Sequence, residues 1–131
     1  MDATATLLPD KNDALTLLFR RFEQPAFSSQ SVYEDITYSA TWKHKFNDHW
    51  AASAGFQLYI GDWQEPVNRD DWIYTPSAGL TYTCNKHLSA ELSWSYDLVD
   101  NKTSTSAPGA TFADGREFSR NLASLAVTCS F

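Results

Sequence analysis

The chain has little of what other folds use to staple or anchor themselves. It holds two cysteines, Cys84 and Cys129, in 131 residues. A disulfide framework needs more than two, and no CxxC or Cys/His spacing marks a metal site. No apolar run comes near the roughly eighteen residues of a membrane helix, which excludes that class. It does not make the chain soluble, because barrel strands hide half their residues from a hydropathy window. The mean hydropathy of -0.40 therefore decides nothing. Basic residues are scarce, ten against sixteen acidic ones, for a net charge of -6 and a pI near 4.8. No basic patch exists to release counterions, so nucleic acid is excluded as a partner.

Catalytic signatures are missing too. There is no GxSxG, HExxH or P-loop. His44 and His49 flank one turn and His87 sits in another, where solvated polar residues are expected rather than metal ligands. Ser, His and Asp occur without a spacing that suggests a triad. The expectation is a protein that is not an enzyme and carries no cofactor or metal.

What the chain does have is alternation. From Trp72 to Cys84 one face reads Trp72, Tyr74, Pro76, Ala78, Leu80, Tyr82, Cys84, and the other Ile73, Thr75, Ser77, Gly79, Thr81, Thr83. Past a short NKH turn the rule resumes, with Leu88, Ala90, Leu92, Trp94, Tyr96, Leu98 against Ser89, Glu91, Ser93, Ser95, Asp97. A period of two on both sides of a tight turn predicts a long antiparallel hairpin. One face is apolar and tipped with aromatics, and the other is small and hydroxylic. A membrane-spanning β-barrel hairpin is built that way, with lipid outside and water inside.

The same pattern extends in both directions. A short strand is predicted at 3–8, then a PDKND turn, then a strand at 14–22. A strand at 32–46 carries Ile36, Tyr38, Ala40 and Trp42 on one face, and Asp35, Thr37, Ser39, Thr41, Lys43 and Lys45 on the other. After NDH, residues 50–60 set Trp50, Ala52, Ala54, Phe56, Leu58 and Ile60 against Ser53, Gly55, Gln57 and Tyr59. Loops are expected at 23–30, 61–70 and 101–115, and a last strand at 116–131. Tight turns thus alternate with long loops, the asymmetry of outer-membrane barrels. The expected fold is all-β, a single-domain antiparallel up-and-down meander. It makes a transmembrane barrel, or part of one, of about seven to eight strands, ending on the periplasmic side. An odd strand count and the lack of an export signal after Met1 suggest the C-terminal part of a larger barrel.

Three sets of candidate functional residues follow. Arg20, Lys43, Lys45, Gln57, Tyr59, Glu91, Asp97 and Arg120 fall on the small polar face, where they would line a pore and tune its ion preference. In a narrow barrel they would instead pair into a plug. Trp42, Trp50, Trp72, Tyr74, Tyr82, Trp94 and Tyr96 lie near strand ends on the apolar face and would anchor it at membrane interfaces. Acidic residues including Asp62, Glu65, Asp70, Asp71, Asp100, Asp114 and Glu117 surround the long loops, as a solvated rim or a cation-attracting vestibule. Cys84 and Cys129 are expected to stay unpaired, with one strand between them.

The pattern YTPSAGLTYTCNKHLSAELSWSYD, followed by FSRNLASLAVTCSF, resembles the end of a Gram-negative outer-membrane β-barrel of the porin kind. The resemblance covers roughly residues 32–131. It implies passive diffusion of small hydrophilic solutes or ions, in an outer membrane whose lipid and lipopolysaccharide surround the barrel. It also implies a final strand recognised by the barrel-assembly machinery through Leu125, Val127, Cys129 and Phe131, and room for homo-oligomers. Cys129 departs from the usual aromatic or aliphatic residue. Two other functions stay open: a structural or adhesive outer-membrane barrel without a conducting pore, and a soluble ligand-binding barrel of lipocalin type, with the aromatics turned inward.

Overall fold

The computed structural model describes residues 1–25, 32–64, 69–103 and 118–129, and all its regular elements are strands. They are β1 (Asp2–Asp10), β2 (Asp13–Pro25), β3 (Val32–Lys45), β4 (Trp50–Trp63), β5 (Arg69–Asn85), β6 (Leu88–Thr103) and β7 (Phe118–Cys129). They form one antiparallel sheet in chain order, with β1 and β7 as its two edges. Each strand pairs only with its sequence neighbours, so the architecture is an up-and-down meander that does not close on itself.

The register keeps the two faces separate. One cross-strand row runs Asp13, His44, Ala52, Leu80, Leu92, Leu125, and another Leu17, Ala40, Phe56, Pro76. Both lie on the apolar face. On the opposite face Lys43, Ser53, Gly79, Ser93 and Ser124 share a row. Period-two side chains hold each set together only while the register is exact, since a slip of one residue would exchange the faces.

The first row also shows a regular stagger. It meets β2 at its first residue, Asp13, β4 two residues past Trp50, and β6 four residues past Leu88. The short turns therefore slide about one residue per strand. A rise of about 3.4 Å for each interstrand step of about 4.8 Å inclines the strands by roughly 35° to the line of turns.

The strands outrun the alternating pattern at the loop end. Glu23–Pro25, Gly61–Trp63, Arg69–Asp70 and Asn101–Thr103 are strand where loop was expected, so Asp62 and Asp70 are strand residues. The cause is physical: the ladder needs only backbone groups, whereas alternation marks the stretch in which one face is apolar. Pro9 and Asp10 likewise belong to β1 rather than to a turn, beside an irregular register between Leu7 and Asp10. A proline there is tolerated because β1 is an edge. Glu65, Asp114, Glu117 and Phe131 lie outside the described residues. Cys84 and Cys129 are exposed, free thiols on β5 and β7. With β6 between them their backbones stand about 10 Å apart, beyond disulfide reach.

Among the described residues no hydrophobic side chain is buried. Leu125 is 70% exposed, Leu92 53% and Trp94 44%. A single sheet with one apolar face must cover that face with another layer or an apolar solvent, and the described residues form no second layer. Leu92 and Gln57 test which solvent covers it. In lipid bilayers, Leu92→Arg is expected to destabilise the folded state by about 2–4 kcal/mol and Gln57→Arg by less than ~1 kcal/mol. Denaturant titration in bilayers reads both, and equal costs would contradict the assignment of the faces.

Candidate functional site

On the apolar face, allowing for the stagger, Phe46, Trp50 and Tyr82 fall at one level near the short turns. Tyr38, Tyr74 and Tyr96 fall at a second. Tyr82 and Tyr74 are eight residues apart on β5, about 27 Å of strand and about 22 Å once the inclination is taken into account. Trp72 sits above the upper level, while Trp42 and Trp94 sit between the two. Seen along the strand alone, Trp94 and Tyr96 lie near the middle of β6 rather than at its end. They stack with centroids 6.5 Å apart, and Trp50 packs on Tyr82 at 4.6 Å.

His44 is not a free turn residue. It lies on β3 with Nδ1 2.7 Å from Asp13 Oδ1, and the same oxygen accepts the Trp42 Nε1–H at 2.9 Å. His49 Nδ1 lies 2.7 Å from the Thr83 carbonyl oxygen. The described residues hold no group of three His, Cys, Asp or Glu that could bind a metal.

The polar face is lined by small side chains through its middle. Ser77 Oγ lies over Gly55, and Ser53 Oγ over Gly79, so that a Cβ on either glycine would come within 2.6 Å of the hydroxyl. Ser93 and Ser124 hydroxyls meet at 2.6 Å. A shallow groove of about 180 Å³ runs along this wall, lined by Ser53, Ser77, Gly79, Glu91, Ser93 and Ser124 among others.

All eight sequence-identified polar-face residues share this face by register, but the structure does not leave them equivalent. Asp97 accepts from Thr75 Oγ1 at 2.8 Å and from Arg120 Nη2 and Nε at 2.6 and 2.9 Å. The β5–β6 pairing lapses at Thr75 and Pro76 and resumes at Ser77. Pro76 has no N–H to donate, and the Thr75–Asp97 hydrogen bond bridges that gap. Lys45 pairs with Asp48 at 2.9 Å, and Arg20 lies 3.8 Å from Asp2. Lys43, Gln57 and Glu91 make no such ion pair among the described residues. Asp48, in its exposed turn, has its carboxyl held below the usual range, chiefly by the hydrogen bond from Lys45.

At the loop end both faces change character. On the apolar side, above the upper aromatic level, Glu23, Glu34, Asp62 and Asp70 form one cross-strand row. Arg21 bridges to Glu34 and to Glu23. Asp62 has its carboxyl raised, first by burial and then by the charges of Asp70 and Glu34. On the polar side Tyr33 and Tyr59 lie against Gly61, which is buried. Tyr33 and Trp63 rings lie 4.6 Å apart at 43°. The Trp63 Nε1–H is buried and has no hydrogen-bond partner among the described residues, a defect that costs about 1–3 kcal/mol where it occurs. Sequence reasoning missed Trp63 and Tyr33 by placing Trp63 in a loop and starting the alternation after Tyr33. The sequence of Tyr59, Gly61, Trp63 at period two was the available signal.

The acidic row generates a pH dependence. A raised carboxyl favours its neutral form in the fold, so at pH 8 Asp62→Asn is expected to stabilise the protein. That gain should shrink as pH falls through the raised pKa and Asp62 itself becomes neutral. Unfolding midpoints of both proteins at several pH values check it, and a gain that is flat with pH would contradict it.

No curated protein and no solved structure matches the chain. A family model matches residues 5–131, nearly its whole length. That family and the all-strand fold fit a Gram-negative outer-membrane protein. The chain belongs to the family described as "Putative MetA-pathway of phenol degradation".

Proposed function

We propose that this chain forms wall strands of a porin-like outer-membrane β-barrel, through which small hydrophilic solutes or ions diffuse passively and in which no chemistry is performed. One observation carries the proposal: an apolar face without a covering layer, bounded by two aromatic levels about 22 Å apart. That separation is close to the apolar band of about 25 Å in such barrels, and an inclination near 35° is at the low end of their strand tilt. Lipid is the medium that satisfies both. A soluble barrel would need the same face inside, where Ala52, Ala54 and Ala78 leave poor packing.

The hydroxyl-rich face is then the lumen wall. Its small residues leave room for water, and Lys43 and Glu91 are charges that can act on passing ions. The family description names a pathway that degrades phenol, and such a pathway needs its aromatic substrate to cross the outer membrane first. Outer-membrane lipid, lipopolysaccharide and the assembly machinery are the proposed surroundings. The edges β1 and β7 must find partners there, in further strands or a second copy, because lipid cannot solvate unpaired backbone groups. The ion-paired Asp97 and Arg120 favour a second proposal, a structural or adhesive barrel whose lumen is closed by such pairs.

Tryptophan quenching tests the orientation. Four of the five tryptophans, all but Trp63, are on the apolar face. Brominated lipid should quench a protein retaining only Trp94 and should leave one retaining only Trp63 unaffected; the reverse pattern would turn the barrel inside out. Conductance across planar bilayers tests the pore. Open channels are expected, with Glu91→Lys shifting selectivity toward anions. A silent, correctly inserted protein would leave the closed barrel as the answer.

A further inference from the structure

At the short-turn end of the polar face, strands from β2 to β6 and the turns at 11–12 and 47–49 surround an open hollow of about 460 Å³. Its lining includes Lys11, Lys43, Ser53, Thr81 and Glu91. A volume of that order suits a small solute. Several charges around the hollow are already answered. Lys45 holds Asp48 at 2.9 Å, while Asp13 accepts the Trp42 indole N–H and lies 2.7 Å from His44. Lys11, Lys43 and Glu91 make no ion pair among the described residues.

These three charges are segregated by sign. Lys43 on β3 shares a cross-strand row with Ser53 and Gly79, and Glu91 on β6 shares the next polar row with Thr81 and Ala51. Lys11 is on the Lys43 side, next to Asn12, whose carbonyl accepts the Lys45 amide at 2.8 Å. The hollow thus has a cationic end at β3 and an anionic end at β6, with neutral Ser53, Ala51 and Thr81 between. Three interstrand steps and two residues along the strand put the Lys43 and Glu91 backbones about 16 Å apart. Side chains stand up from a sheet rather than along it, so these two do not neutralise each other directly. The arrangement selects by charge. A plain anion drawn to Lys43 meets Glu91, and a plain cation drawn to Glu91 meets two lysines. A solute bearing both charges satisfies both ends, and the Ser53 and Thr81 hydroxyls can donate to it or accept from it between them.

We infer that this hollow is a binding site for a small zwitterionic solute of amino-acid type, its carboxylate toward Lys43 and Lys11 and its ammonium toward Glu91. Asp97 and Arg120 show the contrast. Opposite charges on adjacent strands close on each other, whereas opposite charges three strands apart leave room for a solute that carries both. The site deepens the pore proposal and rests on it for one point only, that the polar face is the lumen. There it stands at the short-turn mouth, past the Ser/Thr/Gly wall.

The test is saturation-transfer NMR on the full chain in non-ionic micelles, with γ-aminobutyrate, butyrate and butylamine as probes. γ-Aminobutyrate should bind saturably and more tightly than either singly charged probe. Lys43→Gln should weaken γ-aminobutyrate about three- to tenfold and weaken butyrate too, without weakening butylamine. Glu91→Gln should weaken γ-aminobutyrate by a similar factor and butylamine with it, without weakening butyrate. Lys86→Gln removes a lysine outside the lining; it controls for net charge and should change none of the three. Equal affinities for the three probes overturn the assignment, as does γ-aminobutyrate binding that survives Glu91→Gln unchanged. Failure of the native protein to bind γ-aminobutyrate while its β-sheet circular dichroism is intact overturns it as well. Bilayer conductance separates the two proposals: binding without conductance sinks the pore alone, and conductance without binding sinks this site alone.

Discussion

Everything in this structure depends on one constraint: a single sheet cannot bury its own side chains. Seven strands satisfy most of one another's backbone groups through neighbour pairings in chain order, so the ladder is interrupted only locally, beside Pro76 and at the register shifts near Asp10 and Asn85, and left open at the two edges. The side chains are not so served. In a globular domain a second layer would cover the apolar face and its burial would supply most of the stability. Among the described residues nothing covers it. The proposed membrane setting, apolar on one side and polar on the other, would supply the missing cover.

The division of labour between the faces follows from that. On the apolar face aromatics mark two levels, and between them Ala, Leu and Val stand beside scattered larger rings such as Trp42, Phe56 and Trp94, suiting a medium that fills gaps by itself. Protein interiors cannot tolerate such gaps, because a void forfeits dispersion contacts. On the polar face, residues are small where the wall is longest and charged where strands need cross-links. Thr75, Asp97 and Arg120 show how local chemistry repairs local damage. Proline removes a rung, and a side-chain bond across the same two strands stands in for it.

Legibility in the sequence tracked the environment. Wherever one face is apolar, alternation is clean and the strands, their faces and the short turns could be read directly. Above the upper aromatic level charged residues stand on both faces, so alternation lapses although the hydrogen-bond ladder continues through Asp62, Asp70 and Asn101. The strands were read too short for that reason, and Trp63 was lost with them. The Asp13–His44 contact was illegible for a different reason. Its partners are 31 residues apart and meet only because the register of β2 on β3 brings them opposite.

The sequence by itself determined the all-β class, the meander order, the two faces and the position of the tight turns. Periodicity is a local property, and short turns leave neighbouring strands no choice but to pair. The tertiary structure alone decided the register, and with it the stagger that brings aromatics from different strand positions to common levels. It also decided which polar-face charges are neutralised in pairs, and that Tyr33 and Tyr59 close over Gly61 while Trp63 packs on Tyr33. These depend on which residue of one strand lies opposite which residue of the next, a quantity that alternation leaves free in steps of two and that only the assembled sheet fixes.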